Sequence, residues 1–292
     1  MMKSNHLLRL CRLSALVAGV LALVACSSDG GGSSSPADVE QPTYTMTIEA
    51  TKGNDNSGWD MQSTRAITID GTTLVTSWAT TDQVYVKKGT TWAFGSLQPQ
   101  TAGITALLEG ILKGITIAPG DELTLQFPKS GAADYSGQVG TLADIAENFD
   151  YATATVQVAS VSSEGNIVPV EATTTFTNLQ AIVRFTLKDK VSGDALLASS
   201  LAFSDGTNSF TVTPTAATDQ LYVAIPGFAG RTVSLTATIG SRTYTYKKSN
   251  VSFANGEFYT INLLVGREAL DLNSVSINDW MPDDYSFDGE AN

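Results

Sequence analysis

Apolar and polar positions alternate along most of the chain from residue 42 to residue 292, with the period of two that β-strands produce. Tyr44, Met46 and Ile48 alternate with polar residues, and Ile67 and Ile69 do so just before an Asp-Gly pair typical of hairpin turns. The later runs lie at residues 84–86, 123–127, 156–158, 182–187, 201–203, 210–212, 221–225, 233–239, 244–246 and 258–265. Strands with one polar face suit sheets that pack face to face, so the pattern predicts a mostly β chain of sandwich type.

One segment, residues 140–149, has a helical period instead. Its apolar residues fall at i, i+3, i+4 and i+7, namely Leu142, Ile145, Ala146 and Phe149. Thr141 is placed to cap the N-terminus, with Asp144 at the third helical position. The pattern predicts a short helix that covers one end of the first sandwich.

The chain after residue 41 is long enough for two domains of ordinary size. A polar, threonine-rich stretch at residues 170–175 is the best candidate boundary. We therefore predict an N-terminal β-sandwich over residues 42–172 and a C-terminal β-sandwich with a tail over residues 173–292.

The N-terminus has the composition of an export signal. Lys3, Arg9 and Arg12 precede an apolar run at residues 13–24, which at about 1.5 Å per residue is too short to span a bilayer. Leu23 and Ala25 stand before Cys26 in a pattern that resembles the lipobox of bacterial lipoproteins. The resemblance implies a signal peptide over residues 1–25 and lipid, such as palmitate, on Cys26. Two or three acyl chains anchor a protein stably, and the Ser- and Gly-rich residues 26–41 would form a flexible tether. An ordinary secretory leader with an incidental cysteine is the alternative.

Loss of this leader would change the chemistry available to the chain. His6 and Cys11 would leave with it, so the mature chain would have no histidine, and its one cysteine would carry the lipid. This excludes histidine-dependent triads, Cys-His catalysis and histidine-ligated metals. The mature chain would keep 14 Lys and Arg against 29 Asp and Glu, a formal net charge of −15, which disfavours nucleic acid. We expect no enzyme and no cofactor.

Several segments, taken in order, resemble the fimbrillin-like proteins of Bacteroidales, the type V pilin group. They are the lipobox, the β-segment at 44–50, Thr64-Arg65-Ala66, GTLADIA at 140–146, AIVRFTL at 181–187, VSFANGEFY at 251–259 and INDW at 277–280. The resemblance implies two tandem transthyretin-like antiparallel β-sandwich domains with one short helix in the N-terminal domain. It also implies surface exposure on the outer membrane and assembly into a fimbrium used in cell adhesion.

The resemblance further implies proteolysis after Arg65, which would make Ala66 the new N-terminus and release the strand of Tyr44, Met46 and Ile48. A strand of another fimbrillin subunit would then fill the vacated groove. The loop at residues 53–62 is rich in Gly, Asn, Asp and Ser, and Lys52 is the one basic residue near it that competes with Arg65. The three strand side chains are together worth about 5–9 kcal/mol when buried. The alternative is that Thr-Arg-Ala starts a strand in a chain that is never cut.

A polymer requires a donor strand, and the C-terminal region offers two candidates. Val275 and Ile277 alternate in one, and Tyr285 and Phe287 alternate in an acidic tail. An ordinary last strand followed by a solvated tail would look similar. The acidic residues of the tail match no calcium-loop spacing, so we predict no metal site.

A different function stays open, that of a non-polymerising surface or pilus-tip lipoprotein that binds a glycan or host ligand. Four tryptophans could line a sugar platform, although aromatic residues of a sandwich belong more often to its core. They are Trp59, Trp78, Trp92 and Trp280.

Overall fold

The computed structural model describes residues 41–52, 67–70, 73–266 and 270–277. The strands of the first half are β1 (Thr43–Lys52), β2 (Ile67–Asp70), β3 (Thr73–Thr76), β4 (Tyr85–Lys88), β5 (Thr91–Trp92), β6 (Leu97–Pro99), β7 (Thr105–Lys113), β8 (Glu122–Phe127), β9 (Ala152–Val161), β10 (Asn166–Pro169) and β11 (Thr173–Asn178). Those of the second half are β12 (Gln180–Asp189), β13 (Ala198–Ser204), β14 (Ser209–Val212), β15 (Gln220–Pro226), β16 (Phe228–Ile239), β17 (Arg242–Phe253), β18 (Phe258–Val265) and β19 (Leu270–Ile277). The prediction of a mostly β chain is confirmed.

Nine strands of the first half form one sheet, in the order β5-β4-β8-β9-β10-β1-β7-β6. β11 lies off this path and pairs with both β1 and β9. Val84 and Leu97 exchange two backbone hydrogen bonds of 2.8 Å, which join the start of β4 to β6. The two ends of the path therefore meet, and the sheet curves around its own apolar face. β2 and β3 form a separate hairpin.

The second half consists of two four-stranded sheets, ordered β15-β12-β18-β19 and β14-β13-β16-β17. Most strand pairs of the chain are antiparallel, as the prediction has it. Three pairs are parallel, namely β1 with β10, β1 with β11, and β12 with β18. Parallel neighbours need long connections, which the intervening hairpins supply.

The buried apolar side chains form two clusters. The first core cluster contains inward side chains of β1, β4 and β6–β11 together with Trp78. The second core cluster contains inward side chains of β12–β18 together with Ile67 and residues between 135 and 151. Each cluster fills the interior of its own set of sheets, as expected for two sandwich-like bodies. The boundary between residues 172 and 173 stays a prediction.

The predicted helix exists, but it packs elsewhere than expected. One α-turn, α1 (Leu142–Asp144), continues into a π-turn over Ile145–Phe149, and the Thr141 hydroxyl accepts a hydrogen bond from the Asp144 amide at 3.1 Å. The buried residues of the π-turn belong to the second core cluster, so the helix does not cover the end of the first sandwich. The Gln138 side chain bonds the amide and the carbonyl of Ala224 at 2.7 and 2.9 Å, which holds this segment along β15. In the part of the chain that the structure describes, no helix has the length and apolar character needed to cross a membrane.

Candidate functional site

β1 occupies an interior position of the first sheet. On one side, residues Thr43 to Thr51 pair antiparallel with β7. On the other side, β1 pairs in parallel first with β10 and then with β11. We call the space between β7 and the β10–β11 pair the β1 slot. Because β1 has a hydrogen-bonded neighbour on both sides, its loss would leave two rows of unpaired backbone groups.

The inward face of β1 carries the three side chains that the sequence analysis singled out. Tyr44, Met46 and Ile48 are at most 6% exposed and lie side by side in the first core cluster. The Tyr44 hydroxyl also accepts a hydrogen bond from the Ile117 amide at 3.0 Å. Residues 43, 47 and 49 point outward and are exposed, so the alternation read from the sequence is present in the strand.

The end of β1 is held by side chains from the segment that follows β2 and β3. The Trp78 indole donates a hydrogen bond to the Ala50 carbonyl at 3.1 Å, and the Thr76 hydroxyl donates one to the Lys52 carbonyl at 3.2 Å. The Trp78 ring meets Phe127 and Phe176 edge to face, with centroids 5.4 and 5.1 Å away. Trp78 is fully buried, so its expected place in a sugar platform is wrong.

A buried ion pair closes the same end of the slot. Lys52 Nζ lies 2.5 Å from Asp150 Oδ2, and both side chains are at most 1% exposed. The ammonium group is also 3.8 Å from the ring centroid of Phe127 and 4.9 Å from that of Trp78, within the range of cation–π attraction. Gln180 Nε2 approaches Asp150 Oδ1 at 3.4 Å.

This pair is the functional feature that sequence reasoning missed. A signal for half of it was present, because Lys52 shares the even-numbered positions of β1 with Tyr44, Met46 and Ile48. Nothing in the sequence pattern singled out Asp150 as its partner. Burial also means that Lys52 does not offer its side chain to a protease while β1 is in place, which removes the expected competitor of Arg65.

Gly110 is a second residue of the slot that the sequence analysis did not identify. It lies on β7 opposite Met46 of β1 and opposite Leu97 of β6. A Cβ atom at this position would overlap the backbone carbonyl oxygen of Ser96. The close approach of β6 to β7 therefore requires a glycine here.

The other predicted site residues fall in two groups. Val275 and Ile277 lie in β19, the edge strand of its sheet, opposite Ile261 and Tyr259 of β18. Cys26, Arg65, Ala66, Tyr285 and Phe287 lie outside the described residues, as do Trp59 and Trp280. Ile67, two residues after Arg65, is buried in the second core cluster.

The fold is similar to that of solved proteins from Bacteroidales. A putative cell adhesion protein from Bacteroides ovatus aligns with a TM-score of 0.47 and 15% identity, covering 83% of this chain and all of that one. One from Bacteroides uniformis aligns with a TM-score of 0.42 and 11% identity, covering 81% and 98%. The tip fimbrial protein Mfa3 from Porphyromonas gingivalis, truncated at its C-terminus, aligns with a TM-score of 0.37 and 10% identity, covering 82% and 100%. The resemblance read from the sequence points to the same group of proteins. No family model matches the sequence, and no curated protein matches it significantly.

Proposed function

We propose that this chain is a structural fimbrial subunit that assembles with other subunits by strand exchange in the β1 slot. Export as a lipoprotein through Cys26 brings it to the outer-membrane surface. Cleavage after Arg65 then frees β1, and a strand from another subunit takes its place. The chain acts as a building block of an adhesive fibre and not as an enzyme.

The observation that carries the proposal is the position of β1. It is a complete strand in the interior of a sheet, yet it comes first in the β-body and its covalent link to the rest runs through residues 53–66 alone. One cut in that link therefore frees a whole interior strand. The segment after the proposed cut keeps its own attachment, because Ile67 is buried in the second core cluster.

The energy of β1 explains why an empty slot would be refilled. Burial of Tyr44, Met46 and Ile48 is worth about 5–9 kcal/mol, comparable to the whole stability of a domain. An opened slot would expose this apolar surface together with unpaired backbone groups on two strands. Such a surface favours the addition of an extended strand from a partner.

The first test is the intact mass and native size of residues 27–292 before and after brief trypsin treatment, with an Arg65→Ala variant as control. We expect one early cut after Arg65, loss of the β1 fragment and formation of oligomers, none of which occurs in the variant. Resistance at Arg65, or a cut chain that stays a compact monomer with β1 bound, would contradict the proposal. The alternative of a non-polymerising lipoprotein with a glycan or host ligand would then stand.

The donor segment is tested by two matched variants of the same cut chain. A chain that ends after Ile277 lacks Tyr285 and Phe287 but keeps β19. Val275→Asp leaves the tail intact and places a charge on the other candidate strand. Loss of oligomers in one variant alone identifies the donor, and retention in both shows that this chain's C-terminus does not donate.

A Cys26→Ser variant of the full chain tests the anchor. We expect it to leave the membrane fraction and to lose the mass of the attached acyl chains. A variant that stays in the outer membrane with unchanged mass would contradict lipidation at Cys26.

A further inference from the structure

The ion pair at the end of the slot joins the strand that leaves to the body that stays. Lys52 belongs to β1, whereas Asp150 lies between the π-turn and β9. Under the proposed function, on which this inference rests, release of β1 takes the ammonium group away and leaves the carboxylate behind. The slot is therefore not a purely apolar groove.

The environment of Asp150 makes a neutral replacement costly. Its side chain is 1% exposed, and among the described residues its charged partner is Lys52, with Gln180 as a distant amide neighbour. A buried carboxylate that loses its cation is strongly destabilising, because neither water nor a second charge compensates it. The faces of Trp78 and Phe127 at the same place favour a cation as well.

We propose that the β1 slot selects its incoming strand by a lysine or arginine at the position of Lys52. The strand it fits has three large apolar residues, one small residue and one basic residue at alternate positions, as in Tyr44, Met46, Ile48, Ala50 and Lys52. The partner is a subunit that presents such a strand, and the C-terminal segment of this chain is not that strand.

The C-terminal segment fails this requirement in both directions. Residues 278–292 contain neither Lys nor Arg, so a strand from this tail brings no cation to Asp150 in either orientation. Arg267 is the last basic residue of the chain. An antiparallel strand with Arg267 at the position of Lys52 would place Asp271 at that of Ile48, which buries a second carboxylate. A parallel strand would have to use β18, an interior strand of its own sheet.

The selectivity is tested by competition for the slot in the full chain 27–292. The chain is nicked after Arg65 or, if that bond resists, at a specific protease sequence placed within residues 53–62. It is unfolded in urea and refolded with an equimolar excess of three peptides. These are residues 41–53, the same peptide with Lys52→Met, and residues 278–292. Gel filtration and intact mass then report which peptide each folded chain retains.

We expect the lysine peptide to be retained about 100-fold or more over the Met peptide, since loss of one partner of a buried pair typically costs that much affinity or more. The tail peptide should be retained no better than the Met peptide. In an Asp150→Asn chain, the preference for lysine should fall to a few-fold. Comparable retention of the Met or tail peptide by the wild-type chain would overturn the proposal, as would a preference that survives Asp150→Asn.

A measurement on the uncut chain keeps the inference testable if the nicked chain does not refold. Lys52→Met alone should lower the urea midpoint, and adding Asp150→Leu should restore part of the loss. An unchanged midpoint in the single variant would overturn the inference. Failure of trypsin to cut at Arg65 bears instead on the proposed function, because the inserted protease site tests selectivity without it.

Discussion

Ile48→Ala is the sharpest test of how β1 is held. Ile48 is 2% exposed and lies opposite Leu108 of β7, which is fully buried in the same cluster. Its truncation removes apolar contacts and leaves a cavity that the two flanking strands limit in its collapse. Substitutions of this kind cost about 2–5 kcal/mol, and the interior position of β1 favours the middle of that range.

The assay combines urea unfolding of residues 27–292 with hydrogen exchange resolved by segment. We expect faster exchange in β7 and β8, which face Ile48 across the first core cluster, and little change in β13 and β16, which line the second. Thr47→Ala is the matched control, because Thr47 is the outward neighbour on the same strand and should change the free energy of unfolding by about 0.5 kcal/mol or less.

Two results would refute this reasoning. An Ile48→Ala chain within about 0.5 kcal/mol of wild type would mean that the strand contributes little to the first core cluster. Equal loss of protection in β13 and β16 would mean that the two clusters unfold as one unit. In either case, removal of β1 would not open the slot in an otherwise folded chain.

Three further outcomes are expected. Burial raises the pKa of Tyr135 above its usual range, so stability present below about pH 10 is lost as pH rises further, and Tyr135→Phe should show a smaller loss in alkaline urea titrations. Burial acts to raise the pKa of Asp205, but hydrogen bonds from Asn208 and then Arg231 outweigh it and hold the pKa below its usual range. Stability present above about pH 4 should therefore be lost as pH falls, and Asp205→Asn should make acid unfolding less steep. Gly110→Ala should cost at least about 1–3 kcal/mol in urea unfolding, since its added carbon meets backbone; an unchanged midpoint would show that β6 moves freely.

The sequence by itself determined which residues of each strand share a face. The alternation at Tyr44, Met46 and Ile48 predicted the inward face of β1, because side chains of a strand alternate whatever its neighbours are. The cap of Thr141 on Asp144 was equally readable, since it lies within one turn of chain. The absence of histidine from the proposed mature chain bounded the chemistry without any structure.

Tertiary structure alone decided what each face meets. The periodicity at residues 142–149 specified an apolar stripe, but only the path of the chain along β15 placed it on the second core cluster. The same holds for β1, whose parallel neighbours β10 and β11 lie more than a hundred residues away in the sequence. Lys52 had an inward position from its register, yet its partner Asp150 comes from another connection of the fold. A local period fixes the direction of a side chain, whereas its partner depends on topology, which no local pattern encodes.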